Sequence, residues 1–121
     1  MAKENPREHL PLAPHDFEIL LSLSHGPMHG YAAITAIRER TGGDMVLGTS
    51  TLYAAVRRMR KGGLIEEAPG AAAESNGPPR RYWRMTELGG DVLRLEADRI
   101  RRAAAAADAV LGESAAGARK S

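Results

Sequence analysis

Glycine and proline break this chain at spaced intervals, and those breaks constrain its fold more than any other feature. Gly26 and Pro27, Gly42 and Gly43, and Gly62 and Gly63 bound three short segments and divide them from the C-terminal half. A Gly/Pro/Ala/Ser-rich stretch over residues 69–79 adds another break. In a helix interior glycine costs about 1 kcal/mol and proline about 3 kcal/mol relative to alanine, so each segment is expected to fold as its own element.

The first segment predicts a helix over residues 14–24. Pro14 suits its first turn, where a missing N–H costs nothing, and Asp16 and Glu18 favour its positive end. Its apolar residues form two faces, Phe17, Leu20 and Leu21 on one and Ile19 and Leu23 on another. A short helix apolar on two sides needs two surfaces to cover it. The second helix is expected over residues 29–40, with Tyr31, Ala33, Ile34 and Ile37 at helical spacing and Gly42 and Gly43 ending it. Met45, Val46 and Leu47 read as a short extended piece.

The third helix starts near Thr49 or Ser50, either of which can cap it, and ends after Arg60 and Lys61. Leu52, Val56 and Met59 form its inner face. At about 100° per residue the opposite face carries Ser50, Ala54, Arg57 and Lys61, with Thr51 and Arg58 at its edge. That outer face contains no acid.

Residues 64–68 and 80–85 then read as two strands, the second with Tyr82 and Trp83 as strand formers, joined by the loop over residues 69–79. Thr86 is positioned to cap a fourth helix, although Gly89 and Gly90 weaken its start. Leu93, Ile100 and Ala107, followed by Val110 or Leu111, recur along it at near-heptad spacing to about Leu111. The expected organisation is a flexible arm over residues 1–13, a winged helix-turn-helix domain over 14–86, a dimerisation helix over 87–111, and a disordered tail over 112–121. The fold class is mainly α (α+β): a winged helix-turn-helix with a two-stranded wing and a long C-terminal helix.

Composition narrows the function. Hydrophobic residues make up 43% and charged residues 26% of the 121 residues, as in ordinary soluble proteins. Cysteine is absent, which excludes a disulfide framework or a thiolate zinc site. No apolar run approaches the roughly 18 residues of a membrane span, and the first residues lack the apolar core of a signal peptide, so a cytoplasmic protein is expected. Net charge is only +2, but Arg57, Arg58, Arg60, Lys61, Arg80, Arg81 and Arg84 cluster in one stretch against Glu66, Glu67 and Glu74. Such a cluster fits either a solvated face or a nucleic-acid contact.

An α-helix fits the major groove of B-DNA, and the third helix offers short polar residues for base edges and cations for phosphates. Ser50, Thr51, Arg57, Arg58 and Lys61 are therefore the candidate readers. Tyr53 is on the flank, where its hydroxyl reaches a phosphate or its ring packs inward. Arg80 and Arg81 on the wing are placed for backbone phosphates or a minor groove. A module that docks a protein would instead expose aromatics or leucine there. For dimerisation the candidates are Ile19 and Leu23 of the first helix with Leu93, Ile100, Ala107 and Val110 of the fourth. Metal binding has little basis, because His25 and His29 straddle Gly26 and Pro27 and share no helix face. No Ser-His-Asp spacing, paired carboxylates or phosphate loop points to catalysis, and no cofactor is expected.

His29-Gly30-Tyr31, Gly48-Thr49-Ser50-Thr51-Leu52-Tyr53, Arg58-Met59, Gly63-Leu64-Ile65, and the run from Gly77 through Arg80-Arg81-Tyr82-Trp83-Arg84-Met85-Thr86-Glu87-Leu88 to Gly89 resemble the successive motifs of PadR-type transcriptional regulators. The resemblance covers about residues 15 to 95, and the length matches the short subgroup, in which one C-terminal helix dimerises. The chain departs from the usual pattern with Ala54 for proline, Met59 for leucine, Arg60 for glutamate and Trp83 for tyrosine. The resemblance implies a homodimeric repressor of double-stranded DNA, bound to a near-palindromic operator and released by a small-molecule or stress signal.

Overall fold

The computed structural model describes residues 4–69 and 81–120, with side chains as far as residue 112. Its elements are α1 (Pro14–Leu23), β1 (Met28–His29), α2 (Gly30–Arg40), α3 (Thr49–Lys61), β2 (Ile65–Glu67), β3 (Tyr82–Met85) and α4 (Glu87–Lys120). The three helices and the long fourth helix fall where the breaks and periodicities predict them.

β3 is the central strand of a small antiparallel sheet, ordered β1-β3-β2. On one side Met28 pairs with Trp83 and His29 with Tyr82; on the other Ile65 pairs with Met85, Glu66 with Arg84 and Glu67 with Trp83. The expected two-stranded wing therefore gains a third strand from the residues before α2. Most of the loop expected over residues 69–79, and Arg80 after it, lies outside the described residues.

The core brings together Ile19, Leu20 and Leu23 of α1, Ala33 and Ile37 of α2, Leu52, Ala55, Val56 and Met59 of α3, Leu64 and Ile65, Trp83, and Val92 and Leu93 of α4. α1 runs through the middle, against α2, α3, β3 and α4. Both of its apolar faces are covered from within the chain, which is the physical answer to its two-sided pattern.

Local chemistry sets the ends. His29 caps α2, its Nδ1 accepting the Ala32 N–H at 3.1 Å. Neither Thr49 nor Ser50 caps α3; Gly48 stands at its N-cap without a side-chain bond, leaving both hydroxyl residues exposed. Thr86 acts as expected: its Oγ1 accepts the Gly89 N–H at 3.0 Å and donates to the Gly63 carbonyl. Gly89, costly for helix propensity, has a packing reason. A Cβ there would lie 2.2 Å from the Leu64 carbonyl oxygen.

Two boundaries differ from expectation. The N-terminal arm is docked: Pro6–His9 forms a 3-10 turn, Leu10 and Leu12 pack against the core, and the Leu12 N–H donates to Glu96 Oε2 at 2.8 Å. At the other end α4 continues past Leu111 to Lys120. The residues after Gly112 are mostly good helix formers, and extending an existing helix avoids the cost of nucleation.

Candidate nucleic-acid interface

α3 is anchored by one face and free on the other. Leu52, Ala55, Val56 and Met59 are buried, whereas Thr49, Ser50, Thr51, Ala54, Arg57, Arg58, Arg60 and Lys61 are exposed. The helix carries no acid, and its last turn holds Arg58, Arg60 and Lys61. Its surface thus grades from hydroxyls at the N-terminal end to cations at the C-terminal end.

The cations do not all serve that surface. Arg58 Nη2 donates to Asp16 Oδ1 of α1, and Asp16 is buried at 7% exposure. Arg58 is therefore a tie between α3 and α1, and its charge is already matched. Arg84 Nε donates to Glu66 Oε1 across the β2–β3 register at 2.9 Å. The Arg60 guanidinium lies 5.6 Å from the centre of the Trp83 ring. Among the described residues, Arg57, Lys61 and Arg81 are exposed and form no ion pair with a carboxylate. Arg81 stands immediately before β3, at the root of the wing, and Arg80 lies outside the described residues.

Tyr53 is half-buried beside the start of α2. A Cβ on Gly30 would lie 2.9 Å from its hydroxyl, so the glycine makes the space the phenol occupies. Tyr53 thus both packs and keeps its hydroxyl near the N-terminus of α2.

The residues proposed for dimerisation fall into two sets. Ile19, Leu23 and Leu93 are buried in the chain's own core, at 1%, 5% and 7% exposure. They are not available to a partner, because the surplus face of α1 is covered by α4 and its neighbours. Ile100, Ala107 and Val110 are exposed, as is every residue of α4 from Arg99 to Gly112.

Sequence reasoning missed Glu96. It lies on α4 at 1% exposure, accepting hydrogen bonds from Arg99 and from the Leu12 backbone. The Arg99 hydrogen bond holds its carboxyl below the ordinary value of 4.5, outweighing burial, which acts in the opposite sense. The i, i+3 spacing of Glu96 and Arg99 is a legible signal for the pair, but nothing local marks the acid as buried. His29 has a structural place: it caps α2 and meets Tyr82 edge-on, with ring centres 5.4 Å apart. Among the described residues no cluster of three or more His, Cys, Asp or Glu can hold a metal ion.

A helical core carrying an exposed helix, flanked by a small sheet whose hairpin forms a wing, defines the winged-helix class. The model of the Transcriptional regulator PadR-like family matches residues 19–95, and the chain belongs to that family. Its members are transcriptional regulators rather than enzymes. Among solved structures, a PadR family transcription regulator from Clostridium difficile is 26% identical, with a TM-score of 0.71 over 82% of this chain and 99% of that one. A transcriptional regulator from Clostridium thermocellum is 24% identical, with a TM-score of 0.66 over 89% of this chain and 95% of that one. Bacillus subtilis PadR, solved in complex with operator DNA, is 19% identical, with a TM-score of 0.59 over 69% of this chain and 46% of that one. The last two show a likeness of fold. No curated protein matches the chain. Among the described residues no helix is long and apolar enough to cross a membrane.

Proposed function

We propose that this chain is a sequence-specific, DNA-binding transcriptional regulator whose α3 enters the major groove. The observation that carries this is the outer face of α3: Ser50, Thr51, Arg57 and Lys61 are exposed, and no acid interrupts them. Short hydroxyl residues at the N-terminal end can approach base edges, Arg57 can donate two hydrogen bonds to guanine O6 and N7, and Lys61 suits a phosphate. Tyr53 adds a hydroxyl on the flank. Arg81, with Arg80, supplies wing contacts to the backbone.

The regulator works as a homodimer through the distal part of α4. Among the described residues nothing covers Ile100, Ala107 or Val110, and Ile100 and Val110 are large apolar side chains at 39% and 64% exposure. A two-fold pairing of this segment would present two copies of α3 to half-sites about 34 Å apart, or a multiple of that, on a near-palindromic operator. By the resemblance to its family, the dimer is a cytoplasmic repressor released by a small-molecule or stress signal.

The direct test is an electrophoretic shift with DNA from the region upstream of the protein's own coding sequence, against a random duplex of equal length. A specific complex that survives an excess of random duplex supports the reading. Equal binding to both duplexes, or none, overturns it.

A further inference from the structure

A side chain of α3 that composition alone would assign to DNA lies against the root of the wing. Trp83, at the centre of the middle strand, is 5% exposed, and its ring lies beneath the guanidinium of Arg60 at 5.6 Å. Its indole Nε1 is buried and has no hydrogen-bond partner among the described residues. Among the described residues, packing and the cation above it hold the ring, and no polar bond does. Arg60 in turn has no carboxylate partner among the described residues. A cation over an indole face is attracted by the ring quadrupole, more strongly where water is excluded.

The placement matters because each partner adjoins a candidate DNA contact. Arg57 precedes Arg60 by about one helical turn, and Arg81 lies two residues before Trp83, immediately ahead of β3. We propose that Arg60 is a positioning residue that sets the wing against the reading helix by stacking on Trp83, and does not itself touch DNA. The proposal rests on the reading that α3 and the wing bind one duplex together. It removes Arg60 from the phosphate-binding cations and gives Trp83 a role in geometry as well as in the core.

Trp83 is the sole tryptophan, so its fluorescence reports the clamp without DNA. Arg60→Gln should shift the emission to the red and raise acrylamide quenching as the ring face opens to water. Its affinity for the operator should fall by about three- to tenfold. In a Trp83→Leu background, which removes the aromatic face and keeps an apolar side chain, Arg60→Gln should change affinity by less than about twofold, since the partner is already gone. If Trp83→Leu does not fold by circular dichroism, Trp83→Met supplies the background. Arg60→Lys, which keeps a cation over the ring, should restore most of the emission and affinity. An unmoved emission in Arg60→Gln, or an equal loss of affinity in both backgrounds, overturns the proposal; the second outcome makes Arg60 a DNA contact. A wild-type protein that binds no specific DNA overturns the DNA-binding reading instead, while the emission still tests the clamp.

Discussion

The proximal and distal parts of α4 are one continuous helix in two different environments. From Glu87 to Glu96 the helix is part of the domain: Gly89 lies against the Leu64 carbonyl, Val92 and Leu93 enter the core, and Glu96 holds the N-terminal arm through the Leu12 N–H. From Arg99 to Gly112 every residue is exposed, including Ile100, Val110 and Leu111. Propensity alone would favour the alanine-rich distal part over the proximal part, which carries Gly89 and Gly90, yet both are helical. The difference is what covers the apolar side chains. The proximal part finds its cover within the chain; among the described residues the distal part has none, and the proposed dimer would supply it.

That contrast predicts different failures for the same chemical insult. Val92→Asp would bury an unpaired carboxylate in the core, at a cost of about 3–5 kcal/mol, a large share of the stability of so small a domain. Thermal melts followed by circular dichroism should show a protein largely unfolded or melting far below wild type; a near-normal melt would mean that the proximal part is not core. Ile100→Asp should leave the melt of the domain nearly intact but convert the proposed dimer to monomers in light scattering. Operator affinity should drop by about a hundredfold or more, because the second half-site is no longer tethered. A variant that stays dimeric would move the interface elsewhere.

Glu96 tests the boundary between the two parts, with a smaller effect. Its carboxyl is held below 4.5 by Arg99, so its contribution to stability is complete above 4.5 and is lost as pH falls through the lower folded-state value. Glu96→Gln should therefore be less stable than wild type near neutral pH, and the gap should close in acid. Urea melts at several pH values will show this. A gap that stays constant between pH 7 and pH 3 would contradict the assignment.

The helices and their faces are legible in the sequence because local rules fix them. Glycine pairs mark the ends, and the spacing of Leu52, Val56 and Met59 leaves Ser50, Arg57 and Lys61 facing outward. The features that are not legible depend on partners distant in sequence. β1 is two residues long and exists only because Met28 and His29 meet Trp83 and Tyr82. Arg58 lies at the edge of the reading face by periodicity, but Asp16, far away in the chain, claims it. Ile19 and Leu23 read as surplus because a two-faced helix fits a partner chain as well as its own; here α4 completes the burial. The arm carries two prolines and reads as loose, although a buried carboxylate holds it. Arg60 and Trp83 are each conspicuous alone, and only the fold brings them together.

The central claim is that the uncommitted part of α3 reads DNA, and Arg57 against Arg58 tests it most directly. Operator and random duplexes should be titrated by fluorescence anisotropy with wild type, Arg57→Ala and Arg58→Ala. Arg57→Ala should lose about 1–3 kcal/mol on the operator and much less on random DNA, which is the mark of a base contact. Arg58→Ala should act chiefly on thermal stability, by freeing the buried Asp16. Operator affinity and base preference unchanged in Arg57→Ala, with a normal circular dichroism spectrum, would contradict the account.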